Sequence, residues 1–236
     1  MSMLINVAEE PVHLRAAGTL WLPQFSTLVV SDLHLEKGSA YAVGGQLLPP
    51  YDTRDTLERL ATEIRALNPQ RLVLLGDSLH DMDAVNRVAR DDADAIRQLA
   101  RSLELVWISG NHDPDGGAAF GGQSIETLNL GRLKLCHEPK AVQVFGEIAG
   151  HLHPCAKLRG SSVTIRRRCF ITDGQRLILP AFGSYTGGLN VRDEAFSDLF
   201  SSQPDVFLTG RKIARLKFEQ LSPDRDHTIK RHRLLQ

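Results

Sequence analysis

The chain has 236 residues, of which 42% are hydrophobic and 24% charged, proportions that suit a soluble globular protein with one substantial core. They exclude a fibre, a largely disordered chain and a small fold held by disulfides. Twenty-eight Lys and Arg balance 28 Asp and Glu, so any nucleic-acid contact must come from a local patch, and little net charge opposes homo-oligomerisation.

Residues 4–7, 12–16 and 19–22 are short alternating or apolar runs that predict strands, and residues 26–32 predict a buried strand ending in polar residues. Residues 52–67 carry Leu57, Leu60, Ile64 and Leu67 at helical spacing, with Asp52 or Thr53 as the expected N-cap and Asn68-Pro69 as the stop. A second buried strand follows over 71–77, a helix over 91–102 and a third strand over 104–111. From about residue 123 the segments become short and β-branched, and Thr172-Asp173-Gly174 signals a hairpin turn. The pattern predicts an α/β fold in which a second sheet packs on the first within one domain spanning 1–236. Cys136, Cys155 and Cys169 form no CxxC pair, which favours reduced thiols. The N-terminus, with Glu9 and Glu10, makes a poor signal peptide, and no apolar run is long enough for a bilayer. A cytoplasmic protein without membrane attachment is expected.

Three times an apolar strand empties into a short polar motif: Ser31-Asp32-Leu33-His34, Gly76-Asp77-Ser78 and Gly110-Asn111-His112-Asp113. Loops at the carboxyl ends of strands in an α/β sheet gather at one edge, where ligands bind. With His137, His151 and His153 from the second half, the candidate metal ligands are Asp32, His34, Asp77, Asn111, His137, His151 and His153. Singly, each reads as a cap or a hydrogen-bonded histidine; seven such donors at strand ends and tight turns do not. The set contains no cysteine, which excludes a Cys-rich structural zinc site. Mixed carboxylate, imidazole and amide donors suit Mn²⁺, with Fe²⁺, Zn²⁺, Co²⁺ and Ni²⁺ as alternatives. Seven ligands exceed one ordinary site and match two divalent ions sharing a carboxylate, the usual arrangement for phosphoester hydrolysis.

The ordered set Asp32-x-His34, Gly76-Asp77, Gly110-Asn111-His112, His137 and Gly150-His151-Leu152-His153 resembles that of the calcineurin-like metallophosphoesterases. The resemblance implies an α/β/β/α sandwich of two mixed β-sheets flanked by helices. It implies one ion held by Asp32, His34, Asp77 and His153, and a second by Asp77, Asn111, His137 and His151, with Asp77 bridging. A hydroxide activated by the two metals would be the nucleophile. His112 is similar to the family's non-ligating histidine, which touches the substrate phosphate and protonates the leaving group, and Asp113, which follows it, has two readings, orienting His112 or serving a surface turn. His80, with Asp81, is a further candidate contact around the centre or with substrate.

Within that superfamily the chain resembles the ligase-associated DNA damage response endonucleases of the PdeM type, on residues 18–38, 74–81 and 177–188. That implies cleavage of phosphodiesters in single-stranded DNA, beside a DNA ligase and a helicase. Residues 154–172 hold Lys157, Arg159, Arg166, Arg167 and Arg168 with no acid, and residues 211–233 hold eight Lys or Arg against three acids. Such patches suit a phosphate backbone, although strand alternation puts Arg166 and Arg168 on one face and Arg167 on the other. Lys37 and Arg192 are further candidate phosphate contacts, whereas Cys136 and Trp107 read as core. Two competing readings are a small-molecule phosphoesterase, acting on a nucleotide, dinucleoside polyphosphate or lipid pyrophosphate, and a non-catalytic repair scaffold.

Overall fold

The computed structural model describes residues 1–142 and 144–224. In the first sheet, β1 (Ser2–Val7), β2 (Glu10–Arg15), β3 (Leu20–Leu22) and β4 (Thr27–Val30) run antiparallel in chain order. Beyond β4 the sheet continues with the parallel strands β5 (Arg71–Leu75), β6 (Glu104–Ile108) and β7 (Gln123–Ile125). The helices α1 (Lys37–Val43) and α2 (Asp52–Leu67) connect β4 to β5, and α3 (Ala84–Arg87) and α4 (Arg90–Ser102) connect β5 to β6. The strands expected at 26–32, 71–77 and 104–111 and the helices at 52–67 and 91–102 are thus present, each strand ending two or three residues early where its polar motif begins.

The second half supplies β8 (Thr127–Leu130), β9 (Leu133–Cys136), β10 (Glu147–Ala149), β11 (Pro154–Arg159), β12 (Thr164–Thr172), β13 (Arg176–Ile178), β14 (Leu189–Asn190), β15 (Asp205–Leu208) and β16 (Ala214–Lys217). Their order is β14-β11-β12-β13-β10-β9-β8, with β15 on β12 and β16 outside β15. The long β12 joins two regions, since residues 164–168 pair with β11 while Cys169–Thr172 pair with β15. The expected turn at Thr172-Asp173-Gly174 closes β12 onto β13, and Asp173 Oδ1 accepts the N–H groups of Gln175 and Arg176.

Strand alternation divides the core. Val29, Val73 and Val106, adjacent in register, face Leu135, Ile148, Phe170 and Leu177 of the second sheet. The opposite face of the first sheet, with Leu28, Leu72, Leu74 and Trp107, is covered by Leu60 of α2 and Ile96 of α4. Two mixed sheets packed face to face therefore carry helices outside the first. The outer face of the second sheet, with Cys169, Ile171 and Val206, is covered by Val191, Phe196 and Leu221 from irregular and 3₁₀ segments. All three cysteines are free and buried, and Trp107 is fully buried. No helix among the described residues is long and apolar enough to cross a membrane.

One local expectation is corrected. Neither Asp52 nor Thr53 caps α2; Tyr51 occupies the cap position without a side-chain bond. Asp52 instead accepts the Gly38 N–H, and Thr53 accepts the Glu36 N–H and donates to the Glu36 carboxylate. Those side chains serve the loop after β4, so the helix start is used to hold the neighbouring loop in place.

Candidate metal centre

The loops after β4 and β5 leave the sheet side by side. His34 N–H donates to Asp77 O and Leu35 N–H to Ser78 O, both at 2.9 Å, so the two polar motifs are zipped in register. Residues 32–36 are all buried; Leu33 and Leu35 alternate with Asp32, His34 and Glu36, which adopt positive φ, at 53°, 43° and 67°. Asp77, His151 and His153 also have positive φ, at 46°, 66° and 46°. Non-glycine residues in this region carry strain of about 1–3 kcal/mol each. Five of the seven candidate ligands are held that way by the surrounding hydrogen bonds.

From the second sheet, His137 follows β9, and His151 and His153 occupy the turn between β10 and β11. Glycines make the approach of the two sheets close. A Cβ on Gly76 (φ +77°) would lie 2.2 Å from His137 Nδ1, and one on Gly150 would lie 1.8 Å from Ser31 Oγ. A Cβ on Gly110 would meet the Asp77 amide nitrogen at 2.2 Å.

Six of the seven candidates form two clusters. Asp32, His34 and His153 place one donor atom each within 4.8 Å of one another, and so do Asp77, His137 and His151. In the first, His153 Nε2 is 3.1 Å from Asp32 Oδ1 and 3.4 Å from His34 Nε2. In the second, His137 Nε2 is 3.3 Å from Asp77 Oδ1 and 3.2 Å from His151 Nδ1. Asp77 Oδ2 lies 3.7 Å from His34 Nε2, linking the clusters. The Asn111 side chain is exposed and, among the described residues, hydrogen-bonds to none of these groups.

The donor set fits divalent cations. Ring nitrogens face each other in pairs, an arrangement that two neutral lone pairs do not favour and a shared cation does. His137 Nδ1 lies 3.0 Å from Leu75 O; a proton there fixes the tautomer that leaves Nε2 free to bind metal. Burial holds His34 down at about 3, against the pull of Asp32 and Asp77, so it is a neutral imidazole. Burial also opposes charge on His137, but its hydrogen bond to Asp77 and the charges of Asp32 and Asp77 push it up to about 9. Although burial works the other way, the His137 bond and the His112 N–H hold Asp77 well below the usual carboxylate range. A field that stabilises a proton at this point favours a cation there too.

At the rim, the half-exposed His112 donates its backbone N–H to Asp77 Oδ1 at 3.0 Å, and its Nε2 lies 3.9 Å from Asp77 Oδ2. His80 Nδ1 is 3.5 Å from His34 Nδ1. His34, His80 and His112 form a third group with donor atoms within 4.8 Å. Of the two readings of Asp113, the contacts are those of the loop: its Oδ2 accepts the Ser78 and Leu79 N–H groups at 2.8 and 3.0 Å. Burial, followed by the nearby Asp77 charge against those backbone bonds, pushes it up to about 6.

The candidate substrate contacts divide. Lys37 is half-buried and near enough to His80 for its charge to act there, and burial lowers its pKa. Arg166 pairs with Asp224 and donates to Gly188 O, and Arg168 donates to the carbonyls of Phe182, Gly183 and Thr186. Arg192 bonds Leu221 O and covers the Phe218 ring. These three guanidinium groups are engaged within the fold, because loop carbonyls and Asp224 meet them there. The second basic stretch, 211–233, lies outside the described residues from 225 onward. Sequence reasoning missed Ser31, whose hydroxyl donates to Asp32 Oδ2, and Tyr41, stacked beside His80. The serine preceding the Asp32 motif was the available signal for the first.

A sequence model of the calcineurin-like phosphoesterases matches residues 25–147, just over half of the chain. The chain belongs to the calcineurin-like phosphoesterase family. It is accordingly a metal-dependent hydrolase. Among solved structures, the nuclease MPE of Pseudomonas putida is 30% identical to this phosphoesterase, with a TM-score of 0.73, covering 92% of this chain and 100% of its own. The phosphoesterase Yfce of E. coli is 15% identical over 81% of this chain and 98% of its own, with a TM-score of 0.39. No curated protein sequence matches the chain.

Proposed function

We propose that this phosphoesterase is a dinuclear phosphodiesterase that cuts single-stranded DNA. The observation that carries the two-metal reading is the pair of three-donor clusters joined through Asp77. One ion would be held by Asp32, His34, Asp77 and His153, the other by Asp77, His137 and His151 with the Asn111 amide as a further donor. Mn²⁺ suits this mixture of carboxylate and imidazole, with Fe²⁺, Zn²⁺, Co²⁺ and Ni²⁺ as the alternatives. Such ions, when bound, acidify water and offset charge on the phosphoryl oxygens.

The chain's own residues do the rest. His112, exposed at the rim and fixed through its backbone to Asp77, contacts the phosphate and passes a proton from its imidazole to the departing oxygen. Asp113 is a positioning residue: by binding the 78–79 amides it ties the loop that carries His112 to the loop that carries Asp77. Lys37 and His80 line the approach. DNA as the substrate is supported by the likeness to a nuclease at 30% identity over the whole of that chain. Action in repair beside a DNA ligase and a helicase, in the cytoplasm, completes the reading.

The test is a side-by-side rate comparison on single-stranded DNA, duplex DNA and a nucleotide panel, with metal supplied. Single-stranded DNA should be cut fastest. Nucleotides hydrolysed far faster than any DNA would replace the nuclease reading with a small-molecule one.

A further inference from the structure

Beside the metal centre three rings stand with nearly parallel planes. The His112 and His80 rings are 5.6 Å apart between centroids at 14°, and the His80 and Tyr41 rings are 6.3 Å apart at 16°. Both centroid spacings lie within the range found for aromatic pairs. The row starts at a histidine on the rim of the centre and ends at Tyr41 on α1, which is 38% exposed. Past His80 it borders an open cleft of about 220 Å³ lined by Ala40, Tyr41, Gly44, Gln46 and His80. Two of its five lining residues, Tyr41 and His80, are therefore aromatic. It also includes Gln46, a residue whose side-chain amide both donates and accepts hydrogen bonds.

A phosphodiester at the centre, touching His112, must send its flanking nucleotides away along the surface. The ring row defines one such direction, and what its two cleft-lining rings offer is a π-face, with the Lys37 charge close to His80. Stacking of this kind accepts any base, since every base has a π-face. We propose that the Tyr41–His80 cleft is a nucleobase-stacking site that holds the nucleotide next to the scissile phosphate. This rests on the nucleic-acid reading above and deepens it: the substrate is recognised by a base as well as by its phosphate. The engagement of Arg166 and Arg168 within the fold is consistent with this division of labour, because it leaves less of the binding to charge.

Tyr41→Ala, Tyr41→Phe and Tyr41→Trp are compared with wild type on three substrates: an oligothymidylate, an abasic oligonucleotide of equal length, and methyl p-nitrophenyl phosphate. Loss of one stacked base, worth about 1–3 kcal/mol, should raise the KM of Tyr41→Ala for oligothymidylate about 5- to 150-fold. Tyr41→Phe and Tyr41→Trp should stay near wild type. The abasic strand should already bind weakly and respond little to Tyr41→Ala, and the small diester should be hydrolysed equally by all four proteins. An oligonucleotide carrying one 2-aminopurine should lose fluorescence on mixing with wild type and keep it with Tyr41→Ala, a signature of stacking that a structural role does not produce. Equal cleavage of oligothymidylate by wild type and Tyr41→Ala, or equal losses on oligothymidylate and abasic strands, overturns the stacking site while leaving the nuclease reading intact. If wild type hydrolyses the small diester but neither binds nor cuts any oligonucleotide, the nucleic-acid reading itself fails, and the stacking site with it.

Discussion

Replacing Gly76 by alanine perturbs one metal cluster selectively. Gly76 has φ +77°, so any side chain there carries left-handed strain of roughly 1–2 kcal/mol. The added methyl would lie 2.2 Å from His137 Nδ1 and 2.3 Å from its Cγ. Ordinary contact is about 3.5 Å, so the ring must retreat by about 1 Å or more. That retreat separates His137 Nε2 from Asp77 and His151, now 3.3 and 3.2 Å away, and leaves the Asp32, His34 and His153 group untouched. A misplacement of this size should lower turnover by about 10²-fold. Gly174→Ala is the control: its φ is +86° but nothing lies within 4 Å of the added methyl. Both variants should lose a few degrees in Tm, about 2–4 °C per kcal/mol for a chain of this size. Elemental analysis after reloading should give two ions for wild type and for Gly174→Ala and about one for Gly76→Ala. Two ions bound to Gly76→Ala with wild-type affinity would refute the placement of His137 in the second site.

Other expectations follow from the same geometry. Asp77→Ala should impair both sites, whereas His153→Ala should begin with one, read as metal stoichiometry; equal damage would unseat Asp77 as the bridge. His112→Ala should keep its metal and lose ~10²–10⁴-fold in rate, less on a substrate with a very good leaving group; metal loss matching that of His151→Ala would make His112 a ligand. Metal uptake should expel the proton held on His137 near pH 9, so apparent affinity should rise as pH climbs toward that value. Calorimetry in buffers of different ionisation enthalpy counts the proton, and no release at pH 7 contradicts the electrostatics. Arg176→Met should strand Glu147, its fully buried partner at 2.8 Å, at a cost of about 3–5 kcal/mol and a fall in Tm on the order of 10 °C; Tm within a degree of wild type would deny the pair that role. Arg168→Ala should reduce stability through the 182–186 loop but leave the salt dependence of DNA cleavage unchanged; a flatter salt slope would restore it as a backbone contact.

The parallel strands and the two long helices were legible because burial imposes periodicity: Leu60 and Ile64 share a helix face, and residues 71–75 form a nearly unbroken apolar run. The convergence of Asp32, His34 and Asp77 was legible for a related reason, since polar residues directly after such strands have one edge to occupy. Contacts set only by tertiary approach were not. Asp52 and Thr53 look like caps in sequence, yet their partners are Gly38 and Glu36, 14 and 17 residues away. The triple-arginine run looks like a charged surface, but the donors of Arg168 meet carbonyls of a loop that the sequence could not place beside β12. The irregular cover over Ile171 and Val206 lacks any helical period to announce it.

Each donor group is recruited from both sheets. Asp32 and His34 leave β4 and Asp77 leaves β5, while His137, His151 and His153 come from the loops after β9 and β10. A cation in either position would thus rivet one sheet to the other, across a seam otherwise closed by apolar packing. Binding that requires the assembled seam adds to folding stability by mass action, about 2.7 kcal/mol per site when free metal stands at a hundred times Kd. Sheet docking and metal occupancy are then a single linked equilibrium. Anything that loosens the seam, even far from the ligands, lowers affinity for the ions, and chelation loosens the seam in return.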